Sequence, residues 1–234
     1  MTDHPVRTFA KFTFFKLDPA WQRRDPEARA EDKREFLAAC DDFATDRSLR
    51  AYSTVGTRGD TDLLILSQSP VLDDIHTFHV VLAQSGLAKW ATIPHSYLAM
   101  TKRSPYSDSQ ARPEICTSER RYCFVYPLDK QREWYGLSLE ERRRVMSGHI
   151  EIGRRYPEIT LNTAYSFGID DQEFVVSFEC DEPGQFLDLV QELRGSESSA
   201  FTARDTPIFT CVAMSVGRAL DALDGAATSR PALA

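Results

Sequence analysis

The chain has no glycine-rich phosphate loop. Gly56 and Gly59 do not open a helix after a strand as a phosphate cradle requires, so nucleotide chemistry is not expected. Its five cysteines, Cys40, Cys116, Cys123, Cys180 and Cys211, are odd in number and lack paired metal-ligand spacing. That pattern suggests neither a disulfide framework nor a zinc site, and it fits a reducing cytoplasm. Basic charge is in short supply: 28 Lys and Arg stand against 35 Asp and Glu, a net charge of -7. A nucleic-acid partner needs a concentrated cationic surface that this balance does not supply, and the run Arg142, Arg143, Arg144 reads as the solvated face of a helix. Nor is there an apolar run long enough to span a bilayer. No secretory leader is expected either, since Lys11 interrupts the apolar residues of FAKFTFF. A cytoplasmic protein of mixed helix and strand is the expectation.

At 234 residues the chain can bury a substantial core. Residues 6 to 18 are rich in aromatic and β-branched residues and read as a strand. Phe36, Leu37, Cys40 and Phe43 recur at helical spacing within a charged stretch from Pro26 to about Asp46. Strands are expected at 49–57 and 62–66, a helix at 71–90 and a strand at 95–103, which makes βαββαβ. The order then repeats: strand 121–127, helix 138–156, strands 159–167 and 173–179, helix 184–194 and strand 207–214, with a short helix at 216–223. Two copies of one pattern predict an α+β fold of two ferredoxin-like βαββαβ halves, a dimeric α+β barrel within one chain. The expected division is 1–103 for the first half, 104–120 for a connecting loop and 121–234 for the second half. A loop of that length is uncommon, above roughly 12 to 15 residues, and such loops often cover a site.

The most specific stretch runs from Tyr126 to Tyr156. Ser138 and Glu141 have the capping-box spacing, so a helix should begin there. Leu139, Val145, Met146, Ile152 and Tyr156 follow at helical spacing, and His149 falls on the same face. An inward histidine is either a satisfied core residue or a ligand. His76 and His79 also share a helix face, but without acidic or cysteine partners they read as structural. Asp170, Asp171 and Glu173 sit in an expected hairpin turn, where turn chemistry favours acidic residues.

In order along the chain, YPLDKxxxWY, EERxxxMxxH, GRxYPE, NTAYSFGIDDQEF, LR and ESSAF resemble the second half of the chlorite dismutase-like superfamily, nearest to its coproheme decarboxylases. The resemblance covers about residues 104 to 211. It implies heme b or Fe-coproporphyrin III as the bound iron porphyrin, with His149 as the metal ligand. It implies Tyr126 as the tyrosine that is oxidised and attacks the propionates. Lys130 and Arg112 match basic positions that hold propionates, Lys130 taking part in catalysis, and Arg194 with Ser199 matches a second propionate-binding pair. Trp134 matches a tryptophan near the proximal side.

Spacing back from GIDD puts Leu161 at the distal position, unless a gap brings Asn162 there. Ser109 occupies the place where one branch carries a distal histidine. Ser198, with Glu197 beside it, takes the position of the glutamate that orients the proximal histidine in the dismutases. Leu161 cannot hydrogen-bond an oxychlorine anion, which disfavours chlorite chemistry. The implied function is hydrogen-peroxide-dependent oxidative decarboxylation of coproheme to heme b, in a homo-oligomer that by resemblance is a pentamer. The alternatives are another heme enzyme, dismutase or peroxidase-like, and a non-catalytic heme-binding protein.

Overall fold

The computed structural model describes residues 7–106 and 113–226. Along the chain these form strand β1 (Phe9–Leu17), helices α1 (Pro19–Gln22) and α2 (Pro26–Ala44), strands β2 (Ser48–Ser53) and β3 (Leu63–Ser69), helix α3 (Leu72–Leu82) and strand β4 (Ala91–Met100). There follow β5 (Tyr122–Lys130), α4 (Arg132–Gly136), α5 (Leu139–Arg154), β6 (Thr160–Tyr165), β7 (Phe174–Cys180), α6 (Pro183–Arg194), β8 (Thr202–Arg204), β9 (Phe209–Met214) and α7 (Val216–Ala222). The fold is α+β with the βαββαβ order repeated, as the periodicity predicts. The chain divides into two compact units, Met1–Leu98 with Thr210–Ala234, and Ala99–Phe209.

In the first unit the strands lie in the order β4-β1-β3-β2-β9. β1 and β2 both pair antiparallel with β3, which is buried along its whole length. Helix α2 starts where Asp25 accepts from the Glu27 N–H and Pro26 fills the first turn, so donors that a helix start leaves open are answered locally. Its Phe36, Cys40 and Phe43 pack with Phe15, Trp21, Ile75 and Phe78. The last strand and helix of the chain belong to this unit, not with residues 121–209. The reason is pairing: β9 hydrogen-bonds β2 from Ala51↔Met214 to Ser53↔Val212, and Ala219, Leu220 and Leu223 enter the same core.

A helix expected over 71–90 stops at Leu82, and a separate 3-10 turn forms at Ala88–Trp90. Ser85 turns its hydroxyl back onto the Leu82 carbonyl at 2.7 Å. Gly86 passes so close to α2 that a Cβ there would lie 2.1 Å from Asp32 Oδ1.

In the second unit the order is β6-β7-β5-β8, antiparallel throughout. Because side chains alternate along a strand, the register sorts residues by face. Phe124↔Phe178↔Leu161 and Tyr126↔Val176↔Thr163 share one face, while Val125↔Ser177↔Asn162 lies on the other. The first face carries the core of this unit. Phe124, Tyr126, Val176 and Phe178 pack with Phe186 and Leu189 of α6, and Ile152 of α5 and Tyr156 just beyond it rest on them.

Candidate functional site

Both halves of the capping box form: the Glu141 N–H donates to Ser138 Oγ at 3.2 Å, and the Ser138 N–H donates to Glu141 Oε2 at 2.8 Å. This fixes the start of α5 and hence its rotation. Val145 is buried, while Ile152 and Tyr156 meet the sheet face that bears Tyr126. Leu139, expected on that face, is exposed at the first turn. His149, one turn before Ile152, is half-buried. Burial, and to a lesser degree the Lys130 cation, lowers its pKa to about 4, so the imidazole is neutral at neutral pH. Its Nδ1 lies 3.0 Å from Ser198 Oγ, in the 3-10 turn Glu197–Phe201. Glu197 points elsewhere and grips Arg144 through both carboxylate oxygens, at 2.7 and 2.9 Å.

Lys130 ends β5 and reaches the same turn. Its Nζ donates to the Ser198 carbonyl at 2.9 Å and stands 5.1 Å above the ring of Trp134, which is 2% exposed. Burial lowers the Lys130 pKa to about 8, opposed by Glu173. The Lys130 N–H donates to Glu173 Oε2 at 2.7 Å, and the Tyr135 hydroxyl donates to the same oxygen at 2.6 Å. Glu173 therefore organises the end of β5 as well as closing a hairpin. Hairpin chemistry explains its neighbours Asp170 and Asp171, but no sequence spacing signals the partners of Glu173 on another strand and helix.

Tyr126 is buried and stacks at 6.0 Å on Phe178. Burial first, and Asp205 second, raise its pKa, while Arg194 works against them. Arg194 is ion-paired with Asp205. Ser199 is half-buried, and its N–H is taken by the Ser196 carbonyl at 3.0 Å. Leu161 is 44% exposed, on the Tyr126 face of the sheet. Asn162 is 3% exposed on the opposite face, its Nδ2 donating to Glu179 Oε2 at 3.0 Å. Arg112 and Ser109 lie outside the described residues. Hydrogen bonds and ring contacts thus unite His149, Ser198, Lys130 and Trp134. Tyr126, Arg194 and Asp205 form a second, electrostatically linked set, and Ser199 and Leu161 join neither by a direct bond.

His79 is half-buried and neutral, its pKa lowered to about 4 by burial, with Nε2 at 3.4 Å from Thr13 Oγ1. Among the described residues no group of three or more His, Cys, Asp or Glu side chains could hold a bare metal ion. His149 alone is likewise too small a shell for one. A single neutral imidazole is, however, a sufficient protein ligand for an iron whose equatorial positions are filled by a porphyrin, and nearby cations suit the porphyrin's carboxylates.

Residues 28–214 match the family described as chlorite dismutase. The chain belongs to that family. Within the chlorite dismutase family it is 29% identical over 211 residues to a coproheme decarboxylase of Mycolicibacterium smegmatis, covering 89% of this chain and 90% of the relative. It superposes with a TM-score of 0.81 on a structure described as a heme-binding protein from Thermus thermophilus, at 27% identity, covering 93% of this chain and 95% of that one. The chlorite dismutase of Candidatus Nitrospira defluvii in complex with imidazole shares the fold, with a TM-score of 0.84 at 20% identity over 92% and 94% of the two chains.

Proposed function

We propose that this chlorite dismutase-family protein binds Fe-coproporphyrin III through His149 and uses hydrogen peroxide to decarboxylate it to heme b. The observation that carries the reading is the convergence of His149, Lys130 and Trp134 on one turn, with α5 packed on the sheet face that bears Tyr126. The likeness to the coproheme decarboxylase supports it.

The bound porphyrin iron supplies the oxidising equivalents drawn from peroxide. In each round a propionate loses its carboxylate as carbon dioxide, together with two electrons and a proton, and becomes a vinyl group. Peroxide takes up the two electrons and two protons and becomes two molecules of water. Two rounds lead through a three-propionate stage to heme b.

The protein's part is to bind, orient and move protons. His149, neutral at working pH, offers a ring nitrogen as the metal ligand. Lys130, with a pKa near 8, keeps its charge for a substrate carboxylate and exchanges the Ser198 carbonyl for it. Arg194 and Ser199 serve a second propionate, and Arg112 completes the basic set by family resemblance. Trp134 supports the Lys130 ammonium and packs beside the porphyrin. Because burial raises the Tyr126 pKa, its phenol keeps its proton until an electron is also withdrawn, which suits a residue that acts by losing both together. Leu161 gives the distal side an apolar surface without a donor for an oxychlorine anion. We further take the protein to be a cytoplasmic homo-oligomer, a pentamer by resemblance, with its five buried cysteines as free thiols. No helix among the described residues is long and apolar enough to cross a membrane.

The test is the mass of the porphyrin recovered after purified protein is mixed with coproheme and peroxide. Wild type should yield the three-propionate species and then heme b. Tyr126→Phe keeps the ring and loses only the hydroxyl, so it should bind coproheme within about 1 kcal/mol of wild type and leave it undecarboxylated. Heme b formed by Tyr126→Phe at the wild-type rate would refute the role of Tyr126. Binding without turnover by wild type would favour a non-catalytic heme-binding protein.

A further inference from the structure

The side of His149 that faces the protein is tied to a row of hydroxyls whose donor direction can be deduced. Ser196 Oγ lies 2.6 Å from the carbonyl oxygen of Leu193. A carbonyl oxygen only accepts, so Ser196 commits its one hydroxyl proton there. That carbonyl sits in the last turn of α6, where helix carbonyls lack intrahelical donors and carry the negative end of the helix dipole, which strengthens it as an acceptor. Ser196 Oγ is also 3.1 Å from Ser198 Oγ. One of the two must donate, and with the Ser196 proton committed the donor is Ser198. Ser198 Oγ in turn stands 3.0 Å from His149 Nδ1. Having given its proton to Ser196, Ser198 can only accept, so Nδ1 carries the ring proton. A neutral imidazole has one N–H, and Nε2 is left with its lone pair.

We infer that Ser196 and Ser198 are positioning residues: a one-way hydroxyl relay anchored on the Leu193 carbonyl holds His149 in the Nδ1–H tautomer and presents the Nε2 lone pair to a metal centre. Free imidazole side chains in water favour the opposite tautomer, so this preference has to be imposed by the fold. Ser198 is 1% exposed, which keeps water from supplying an alternative donor or acceptor and reversing the relay. A hydroxyl is able to point either way and would by itself leave the tautomer open. The second serine and the backbone carbonyl remove that freedom without placing a charge beside the ring. The assignment of the metal centre as porphyrin iron rests on the function proposed above; the tautomer does not.

The experiment is two-bond 1H–15N correlation on porphyrin-free protein labelled with 15N-histidine near neutral pH, His149 being identified by the signal lost in His149→Gln. Wild type should show a protonated Nδ1 and an unprotonated Nε2. Ser196→Thr keeps the hydroxyl and should retain that pattern. Ser196→Ala releases the Ser198 proton to point at Nδ1, and Ser198→Ala removes the acceptor, so both should move the population toward Nε2–H. A wild-type Nε2–H form, or an unchanged tautomer in either alanine variant, overturns the relay. Ferric heme titrated into the same proteins should bind with an apparent Kd raised by the factor by which the Nδ1–H population falls. If the tautomers behave as stated and ferric heme produces no histidine-type Soret shift in wild type, the relay stands and the porphyrin reading fails.

Discussion

Replacing Lys130 with methionine should make the porphyrin-free protein more stable while weakening its hold on coproheme. Burial lowers the Lys130 pKa from 10.5 to about 8. Keeping the ammonium charged in the folded state at pH 7 therefore costs about 3 kcal/mol relative to the unfolded chain. Methionine fills a similar volume and removes that cost, but it leaves the Ser198 carbonyl without the donor that now stands at 2.9 Å, a loss of about 1 kcal/mol. The net expectation at pH 7 is a gain of about 1 to 2 kcal/mol. Between pH 8 and 10.5 the folded wild type binds fewer protons at this site than its unfolded chain does, so its stability rises with pH. The variant has no such group, and its advantage should shrink and reverse by about pH 10.5. Urea unfolding of both proteins at pH 7 and pH 10, with coproheme titrations at pH 7, checks this. A variant less stable at pH 7, or a stability difference that does not change with pH, would refute the account of Lys130 as a destabilising group kept for binding.

Three further outcomes follow from the same geometry. His149→Ala should abolish the histidine-type Soret shift on adding ferric heme, and an unchanged spectrum would remove His149 as the ligand. Leu161→Arg should tighten fluoride or cyanide binding to the ferric heme complex, because the new cation would share the sheet face of Tyr126; equal affinities would count against Leu161 as the distal residue. Gly86→Ala should lower stability by about 1 to 3 kcal/mol in thermal or urea unfolding, since its Cβ would press on Asp32, which holds the buried Trp21 indole N–H at 2.9 Å and is ion-paired with Arg24. An unperturbed melting curve would mean that α2 yields at no cost.

Much of the fold was legible because its signals are local. Aromatic and β-branched richness marked the first strand, and Ser138 with Glu141 placed the start of α5 at the right residue. The short helix α4 was missed because its five residues leave no room for a helical repeat. Sequence order alone groups the end of the chain with the second half, because it says nothing about pairing, whereas β9 finds its partner in β2. The site shows the same limit. That His149 lies on the inward side of α5 was legible from its helical spacing, and that Ser198 stands beside it from the place of ESSAF in the motif order. The Ser196–Ser198 relay was not, because a hydroxyl's partner depends on how a turn folds back on a helix end. Glu173 looked like turn chemistry until β5 brought the Lys130 N–H to its carboxylate.

One turn has to serve two demands that could conflict. Ser198 offers its carbonyl to Lys130 and its hydroxyl to His149, so under the proposed function a substrate carboxylate that draws Lys130 away would remove one of the two bonds at the residue inferred to orient the imidazole. The turn has further anchors that do not depend on Lys130. Arg144, on the same helix as His149, clasps Glu197 through two hydrogen bonds, and Ser196 holds the Leu193 carbonyl through its hydroxyl at 2.6 Å and its N–H at 3.0 Å. The exposed Arg144–Glu197 pair contributes little energy by itself, but it ties the turn to α5 at a second point, more than one helical turn before His149. Glu197, the carboxylate beside Ser198, is thus occupied by Arg144 and not by His149. With that charge turned away, the imidazole keeps a neutral partner, and the proposed function then has Lys130 change partners without releasing the ring.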